Sequence, residues 1–189
     1  PSMPWIANAP EFFIFCGDNR RIRRICKMRG LKYANNTMDA VFNATIDAAI
    51  AMQTMICAAE IMGLGTCPIS HVRDHVDTVA DILAIPEGVF PISGLCLGHP
   101  GQEGFISLRL PPEASVHTNS YDDARLEAEI DGYDRRRDAR YSIPAEKYKR
   151  TEEFGTPDFY GWSEDKARQM AVNDGQTMRA YLAAKGFTM

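Results

Sequence analysis

Hydrophobic and polar residues alternate along this chain in patterns that predict a few strands and several helices. Residues 11–16 form a short aromatic and aliphatic run, which predicts a buried strand that ends at Gly17. Asp18 or Asn19 can cap the helix that follows, which we expect to reach Met28. A much longer helix is predicted from Asn36 or Thr37 to Met62, and it is apolar nearly all round. Such a helix must be buried in the core, in a dimer interface or in both.

The rest of the chain is predicted to contain more helix than strand. A helix should begin at Asp74, a strand should follow it, and Pro111 and Pro112 should keep their segment extended. A charged helix, a loop over residues 141–162 and a final helix come next. The predicted spans are 74–83 (helix), 89–97 (strand), 108–112 (extended), 122–140 (helix) and 163–185 (helix). The pattern therefore predicts an α+β fold, mostly helical, with residues 1–189 in a single domain.

Charge and cysteine content narrow the choice of partners and compartment. The net charge is −4 and the calculated pI is about 5.6, which argues against nucleic acid because a phosphate contact surface needs a basic face. We expect no membrane span, because no apolar run is long enough without interruption. The five cysteines are widely spaced without a CxxC pair, so we expect free thiols in the cytoplasm and no zinc site.

Two glycine-rich segments carry the candidate chemistry. Residues 63–70 read GLGTCPIS and residues 90–100 read FPISGLCLGHP. Glycine lets the backbone approach a flat or phosphorylated ligand closely, although Gly63 and Gly65 by themselves could equally be the end of a helix. His71 and His75 stand four residues apart and could share a metal ion, but no third ligand is evident, so we expect no metal site.

The ordered string of these segments resembles a known family. The sequences AAEIMGLGTCPISHVRD, VADILAIPEGVFPISGLCLGHP and LRLPPEASVHTNSY look like the flavin-dependent nitroreductase fold. More narrowly, they resemble the branch of NADPH-preferring nitroreductases and flavin reductases. The resemblance implies a nitroreductase-like central sheet, antiparallel or mixed, flanked by helices and crossed by a long buried core helix. It also implies a homodimer that binds FMN and NAD(P)H.

Specific residues acquire expected roles from this resemblance. Arg109 matches the position whose guanidinium holds the FMN phosphate, a group that suits a bidentate fork. The basic loop residues Lys149 and Arg150 could contact the 2′-phosphate of NADPH, or could equally belong to a solvated linker. The segment expected against the flavin ring consists of Pro68, Ile69, Ser70 and His71.

The chain also departs from the family pattern. Ser107 stands where the family often has a lysine, and Ser70 and His71 stand where it commonly has two glycines. A further N-terminal segment that carries other FMN contacts has no counterpart here, so we expect an N-terminally incomplete chain.

The resemblance implies an oxidoreductase that transfers electrons from NAD(P)H to a nitroaromatic, quinone or flavin acceptor by a ping-pong mechanism, with no catalytic side chain. The alternatives are a truncated or decayed paralogue that binds flavin or a partner without turnover, and another activity on the same fold, such as dehalogenation or flavin fragmentation.

Overall fold

The computed structural model describes residues 3–102, 104–172 and 176–188. The chain divides into a first unit, residues 1–103 with 175–189, and a second unit, residues 104–174. That all 189 residues act as one domain stays a prediction.

A three-stranded antiparallel sheet forms the centre of the first unit. Its strands are β1 (Glu11–Asp18), β2 (Gly65–Ile69) and β3 (Val89–Gly98), in the order β1–β3–β2. The two strands expected from the apolar runs are confirmed. The sequence did not predict β2, because Gly65 and Pro68 are residue types that strands disfavour. Proline is tolerated here because β2 is an edge strand.

Seven α-helices lie within the described ranges. They are α1 (Arg20–Met28), α2 (Met38–Ile61), α3 (Val76–Ile82), α4 (Leu126–Tyr141), α5 (Thr151–Phe154), α6 (Trp162–Met170) and α7 (Gln176–Ala184). The predicted α+β class, mostly helical, is confirmed. The helix expected from Asp74 begins later, because a 3-10 turn over Ser70–Arg73 precedes it.

The long helix α2 is present as predicted, but only one side of it is buried within the single chain. Its exposed side carries Phe42, Ile46 and Ile50, which are 57%, 54% and 61% exposed. Small residues make up the buried side, namely Ala40, Val41, Ala44, Ala48 and Ala59. One side of α2 thus packs on the core, and burial of the other side in a dimer interface, which the sequence left open, stays a prediction. Length and composition would also allow α2 to cross a membrane, although long core helices of other proteins meet the same test.

The main core of the first unit joins the sheet to α2, α3 and the C-terminal residues. Phe90 of β3 and Val76 of α3 are almost fully buried, and the ring of Phe187 meets that of Phe90 edge-on at 5.3 Å. The core comprises Ala40, Val41, Ala44, Val76, Ala80, Ile85, Phe90, Tyr181, Leu182 and Phe187. Residues near both ends of the described chain thus share one core.

Arg23 of α1 holds the C-terminal residues in place. Its guanidinium donates to the carbonyl oxygens of Lys185 (3.3 Å) and Gly186 (3.2 Å) and lies 4.7 Å from the ring centre of Phe187. The same group pairs with the Glu87 carboxylate at 3.1 Å. One arginine therefore connects α1, the residues before β3 and the residues after α7.

The second unit contains α4, α5 and α6. The helix expected over residues 163–185 is wrong as a single element, because α6 ends at Met170 and Ala171 and Val172 form a turn. Helix α7 begins at Gln176, and residues 173–175 lie outside the described ranges. The segment 141–162 is a loop interrupted by a 3-10 turn, Ala145–Lys147, and by α5.

Candidate functional site

The segment expected against a flavin ring follows the chain out of β2 and into the 3-10 turn. Pro68 and Ser70 are exposed, His71 is half-buried, and the side chain of Ile69 is buried. Any ligand that meets this segment would therefore contact Ile69 through its backbone alone. The structure places all four residues in one continuous surface segment of the first unit.

Contacts with β3 fix the conformation of this turn. Ile69 and Val72 pack with Cys96 in a small apolar cluster, and the Ser93 hydroxyl donates to the Ile69 carbonyl oxygen at 3.3 Å. Arg73 donates to the carbonyl oxygen of Ile92 at 2.9 Å. The turn is thus attached to the central strand from both of its ends, which makes it a rigid platform.

Three polar side chains meet at the end of the turn. His71 Nδ1 lies 2.5 Å from Asp74 Oδ2, and His71 Nε2 lies 3.2 Å from His75 Nε2. The two imidazole rings are nearly perpendicular, with centres 4.8 Å apart. Asp74 and His75 are exposed, so the group is open to solvent.

Arg109 lies in the second unit, beside a cavity of about 430 Å³. Its guanidinium donates to the Ser107 hydroxyl, the residue that stands where the family often has lysine. Two further cations, Arg137 and Lys166, line the same cavity. The remaining lining is largely aromatic and apolar: Phe105, Leu108, Tyr133, Tyr141, Ile143 and Trp162.

Packing between α4 and α6 shapes this cavity. Asp134 is 4% exposed, and its carboxylate accepts a hydrogen bond from the backbone N–H of Ser163 at 3.0 Å. That contact caps the first turn of α6 from outside the helix, where a negative charge is favoured. Tyr133 donates to the Leu108 carbonyl oxygen at 3.2 Å and packs edge-on against Trp162. These contacts hold the cavity walls in place.

Lys149 and Arg150, the expected contacts of the NADPH 2′-phosphate, are each paired with a carboxylate. Lys149 Nζ lies 2.8 Å from Asp165 Oδ2, and Arg150 Nη1 lies 3.4 Å from Glu153 Oε2. Arg150 has a positive φ of 54° at the start of α5. Both side chains therefore have structural partners within the second unit.

The predicted residues thus lie in three separate parts of the chain. Residues 68–71 are together in the first unit, Arg109 lines the cavity in the second, and Lys149 and Arg150 lie at the start of α5. Sequence reasoning named neither Arg137 of the charged helix α4 nor Lys166 of α6 as a site residue. The helical period could have placed Tyr133, Arg137 and Tyr141 on one side, since they are spaced four residues apart.

The shifted pKa values in the described chain belong to groups outside these predicted residues. Burial raises the pKa of the Tyr181 hydroxyl to about 12, with Cys16, Asp77 and Asp81 contributing. Burial also raises the pKa of the Cys16 and Cys96 thiols, with smaller contributions from Asp18 and Cys67 respectively. These cysteines are therefore held as neutral thiols, which are poor nucleophiles.

The chain is similar in sequence to known proteins. An FMN reductase [NAD(P)H] of Bacillus subtilis (strain 168) is 39% identical over 134 residues, which cover 69% of this chain and 54% of that protein. The chain thus spans about half the length of this relative.

Two solved structures agree in fold. B. megaterium NfrA2 superposes with a TM-score of 0.84 at 30% identity, over 98% of this chain and 72% of that one. An NADPH:FMN oxidoreductase from Vibrio harveyi, complexed with NAD+, gives a TM-score of 0.78 at 28% identity, over 97% and 73%.

Family models match both parts of the chain. The model of the Nitroreductase family matches residues 2–99, and that of the Nitroreductase family C-terminal domain matches residues 107–189. The first alone covers more than half of the chain, and the sheet, the helices and the superposed structures agree with it. The chain therefore belongs to the nitroreductase family.

Proposed function

We propose that this protein binds FMN and acts as an oxidoreductase that passes electrons from NAD(P)H to a nitroaromatic, quinone or flavin acceptor. The observation that carries the proposal is the family membership together with relatives named as FMN reductases and NADPH nitroreductases. Bound FMN would supply the centre that accepts and donates hydride, as the cofactor does in flavin enzymes generally. The protein residues would provide binding, orientation and charge.

The residues around Arg109 fit a phosphate group. Arg109, Arg137 and Lys166 supply positive charge to one cavity, and a guanidinium can hold two phosphate oxygens at once. Ser107, although it is not a cation, accepts a hydrogen bond from Arg109 and so orients the guanidinium. We propose that Arg109 holds the FMN phosphate and that Arg137 supplies the second positive charge that a lysine at position 107 would have provided.

The turn over residues 68–71 fits a flat ring. It is rigid, it faces solvent, and it presents backbone groups at Ile69 and Ser70. Donors held in fixed positions beside a ring tune its electronics without having to reorganise during the reaction. We propose that Pro68, Ile69, Ser70 and His71 contact the FMN ring, and that the nicotinamide and the acceptor bind there in turn, in a ping-pong order.

The role of Lys149 and Arg150 requires a change of partner. To reach the 2′-phosphate of NADPH, Lys149 would leave Asp165 and Gln169, and Arg150 would leave Glu153. Both cations are half-buried in these pairs, so a doubly charged phosphate would have to compete with Asp165 and Glu153 for them. We retain both residues as proposed contacts with the 2′-phosphate.

We further propose that the protein works as a homodimer in the cytoplasm. The exposed residues Phe42, Ile46 and Ile50 form an apolar surface on α2 that a second copy would cover. All five cysteines are free thiols, which is typical of a reducing compartment.

The Arg109→Ala variant tests the FMN assignment. A hydrogen bond to a charged group contributes about 1.5 to 3 kcal/mol, so we expect FMN affinity to fall about 10- to 100-fold. The matched control is Arg135→Ala, which removes an exposed arginine of α4 that does not line the cavity. Affinity is measured by quenching of flavin fluorescence.

Turnover is measured separately, as NADPH oxidation with a quinone. A protein that binds FMN without turnover would be the non-catalytic paralogue that the sequence left open. A protein that ignores added FMN, or an Arg109→Ala variant that binds it as tightly as the Arg135→Ala control, would contradict the assignment.

A further inference from the structure

The group formed by His71, Asp74 and His75 has an arrangement that flavin binding does not explain. The two Nε2 atoms lie 3.2 Å apart, and a carboxylate lies behind one of the rings. Both imidazoles lie at the surface of the first unit, where a small solute can reach them.

The carboxylate determines which nitrogen of His71 carries a proton. An ionised Asp74 can only accept a hydrogen bond, so the hydrogen between Asp74 Oδ2 and His71 lies on Nδ1. The Nε2 atom of neutral His71 therefore has a free lone pair, directed at His75. An outer carboxylate that orients a histidine in this way is the usual second layer of a metal site.

The separation of the two Nε2 atoms also matches a shared metal ion. With metal–nitrogen bonds of about 2.0 to 2.1 Å, two ligands lie about 3.3 Å apart at a tetrahedral angle and about 2.9 Å apart at a right angle. The observed 3.2 Å falls between these values. In the free protein, His75 Nε2–H donates a hydrogen bond to His71 Nε2. Metal binding requires only that the proton of His75 move to its Nδ1 atom, which frees Nε2 as a ligand.

We propose that His71 and His75 bind one divalent late transition-metal ion, such as Ni²⁺, Cu²⁺ or Zn²⁺, through their Nε2 atoms. Asp74 acts as the positioning residue. Imidazole nitrogen suits these ions, whereas Mg²⁺ and Ca²⁺ prefer oxygen ligands, so the site excludes the hard cations. Because His71 is also a proposed contact of the FMN ring, the test uses the flavin-free chain.

The site leaves coordination positions open. Within the described ranges, no group of three or more His, Cys, Asp or Glu side chains is placed to hold a metal ion, so the pair would supply two ligands, with Asp74 occupied on the far side of His71. Water or a small anion would complete the coordination. An open site of this kind exchanges its metal readily and can present it to a solute.

Calorimetric titration of the metal-free 189-residue chain with Ni²⁺ tests the proposal. We expect one Ni²⁺ per chain and no binding of Mg²⁺. His71→Ala and His75→Ala should each weaken Ni²⁺ binding by tenfold or more, and Asp74→Ala by about tenfold. His99→Ala, which removes another exposed histidine from the same unit, should leave the affinity unchanged.

Two further measurements keep the test independent of how the variants fold. Electron paramagnetic resonance of the Cu²⁺-loaded wild-type protein should show coupling to two imidazole nitrogens. Replacing the exposed Cys57 and Cys67 with serine should not change Ni²⁺ binding. The proposal is overturned if the double variant His71→Ala/His75→Ala still binds Ni²⁺ like the wild type, if thiol removal abolishes binding, or if Cu²⁺ shows no nitrogen coupling.

Discussion

Tyr181 on α7 is a polar residue in an apolar position. It belongs to the main core of the first unit, and its hydroxyl has no hydrogen-bond partner in the described part of the chain. Burial raises its pKa from 10.0 to about 12, with Cys16, Asp77 and Asp81 adding to the shift. The folded protein thus holds the phenol proton more tightly than the unfolded chain does.

We predict that this phenol lowers stability at alkaline pH. Between pH 10 and pH 12 the unfolded chain binds fewer protons than the folded protein, so the free energy of unfolding falls as pH rises. The stability that the protonated phenol contributes is present in full well below pH 10. About 1.4 kcal/mol of the free energy of unfolding should be lost between pH 9 and pH 11. Urea unfolding at a series of pH values measures it.

The control for this prediction is a pair of phenylalanine variants. Tyr181→Phe should flatten the alkaline loss of stability by that amount without lowering stability at pH 8, because the hydroxyl makes no hydrogen bond there. Tyr121→Phe, which changes an exposed tyrosine, should leave the pH dependence as it is. Equal pH profiles for Tyr181→Phe and the wild type would refute the argument.

At the scale of elements, Gly17 is one of the points where β1 and β3 are in close contact. Gly17 is paired with Phe90 across the two strands, and the Phe90 ring covers the glycine. A Cβ at position 17 would lie 2.5 Å from Phe90 Cζ and 2.8 Å from Cε2. Phe90 is almost fully buried, so its ring has no space into which it could move.

We predict that Gly17→Ala destabilises the protein by about 1 to 3 kcal/mol through overpacking. Gly101→Ala is the matched control, because no atom lies within 4 Å of a Cβ built there. Urea unfolding of Gly17→Ala, Phe90→Leu and the double variant gives the coupling between the two sites. The smaller leucine should relieve the clash, so additive effects would contradict the explanation.

The elements also show what the sequence could and could not predict. The aromatic run of β1 and the apolar run of β3 identified these strands, because burial on a sheet demands such residues. Strand β2 was not predicted, because strands disfavour Gly65 and Pro68, and Pro68 is tolerated only because β2 lies at the edge of the sheet, which is a tertiary effect. The boundary between α6 and α7 was missed, although Asn-Asp-Gly in residues 173–175 is a sequence typical of turns.

At the scale of the whole molecule, one side of α2 is an apolar surface that the described residues leave open. On α2 the exposed residues Phe42, Ile46 and Ile50 are each two positions after a buried alanine, which places the two sets about 200° apart around the helix. A helix with apolar residues on opposite sides is typical of one that packs on two neighbours.

We predict that Ile46→Lys/Ile50→Lys is monomeric under conditions in which the wild-type protein is a dimer. Two lysines on the surface between copies would bring like charges into an apolar contact, which is unfavourable. Both side chains are exposed within the chain, so the fold itself should survive. Sedimentation velocity measures the change, with Ile106→Lys in the second unit as the control. A dimer that persists in the double variant would place the interface elsewhere.

For the candidate site, the residue types could be predicted from the sequence, but the side chains that contact them in the fold could not. Spacing suggested that His71 and His75 could meet, yet only the fold shows that Asp74 orients one of them. Arg109 was found by resemblance, whereas Arg137 joins it because α4 packs on α6, which is a matter of tertiary structure. The sequence shows that Ser107 stands where the family often has a lysine. It does not show which other cation lies near Arg109.

The contact between Arg23 and residues 185–186 has a consequence for synthesis of the protein. Tyr181, Leu182 and Phe187 complete a core whose other members lie between residues 40 and 90, and the second unit is encoded between them. On the ribosome, the first unit cannot close until residue 187 has emerged, long after its sheet has been translated. We therefore expect the nascent chain to expose part of the apolar surface around Val76 and Phe90 during that interval, a condition that favours chaperone binding.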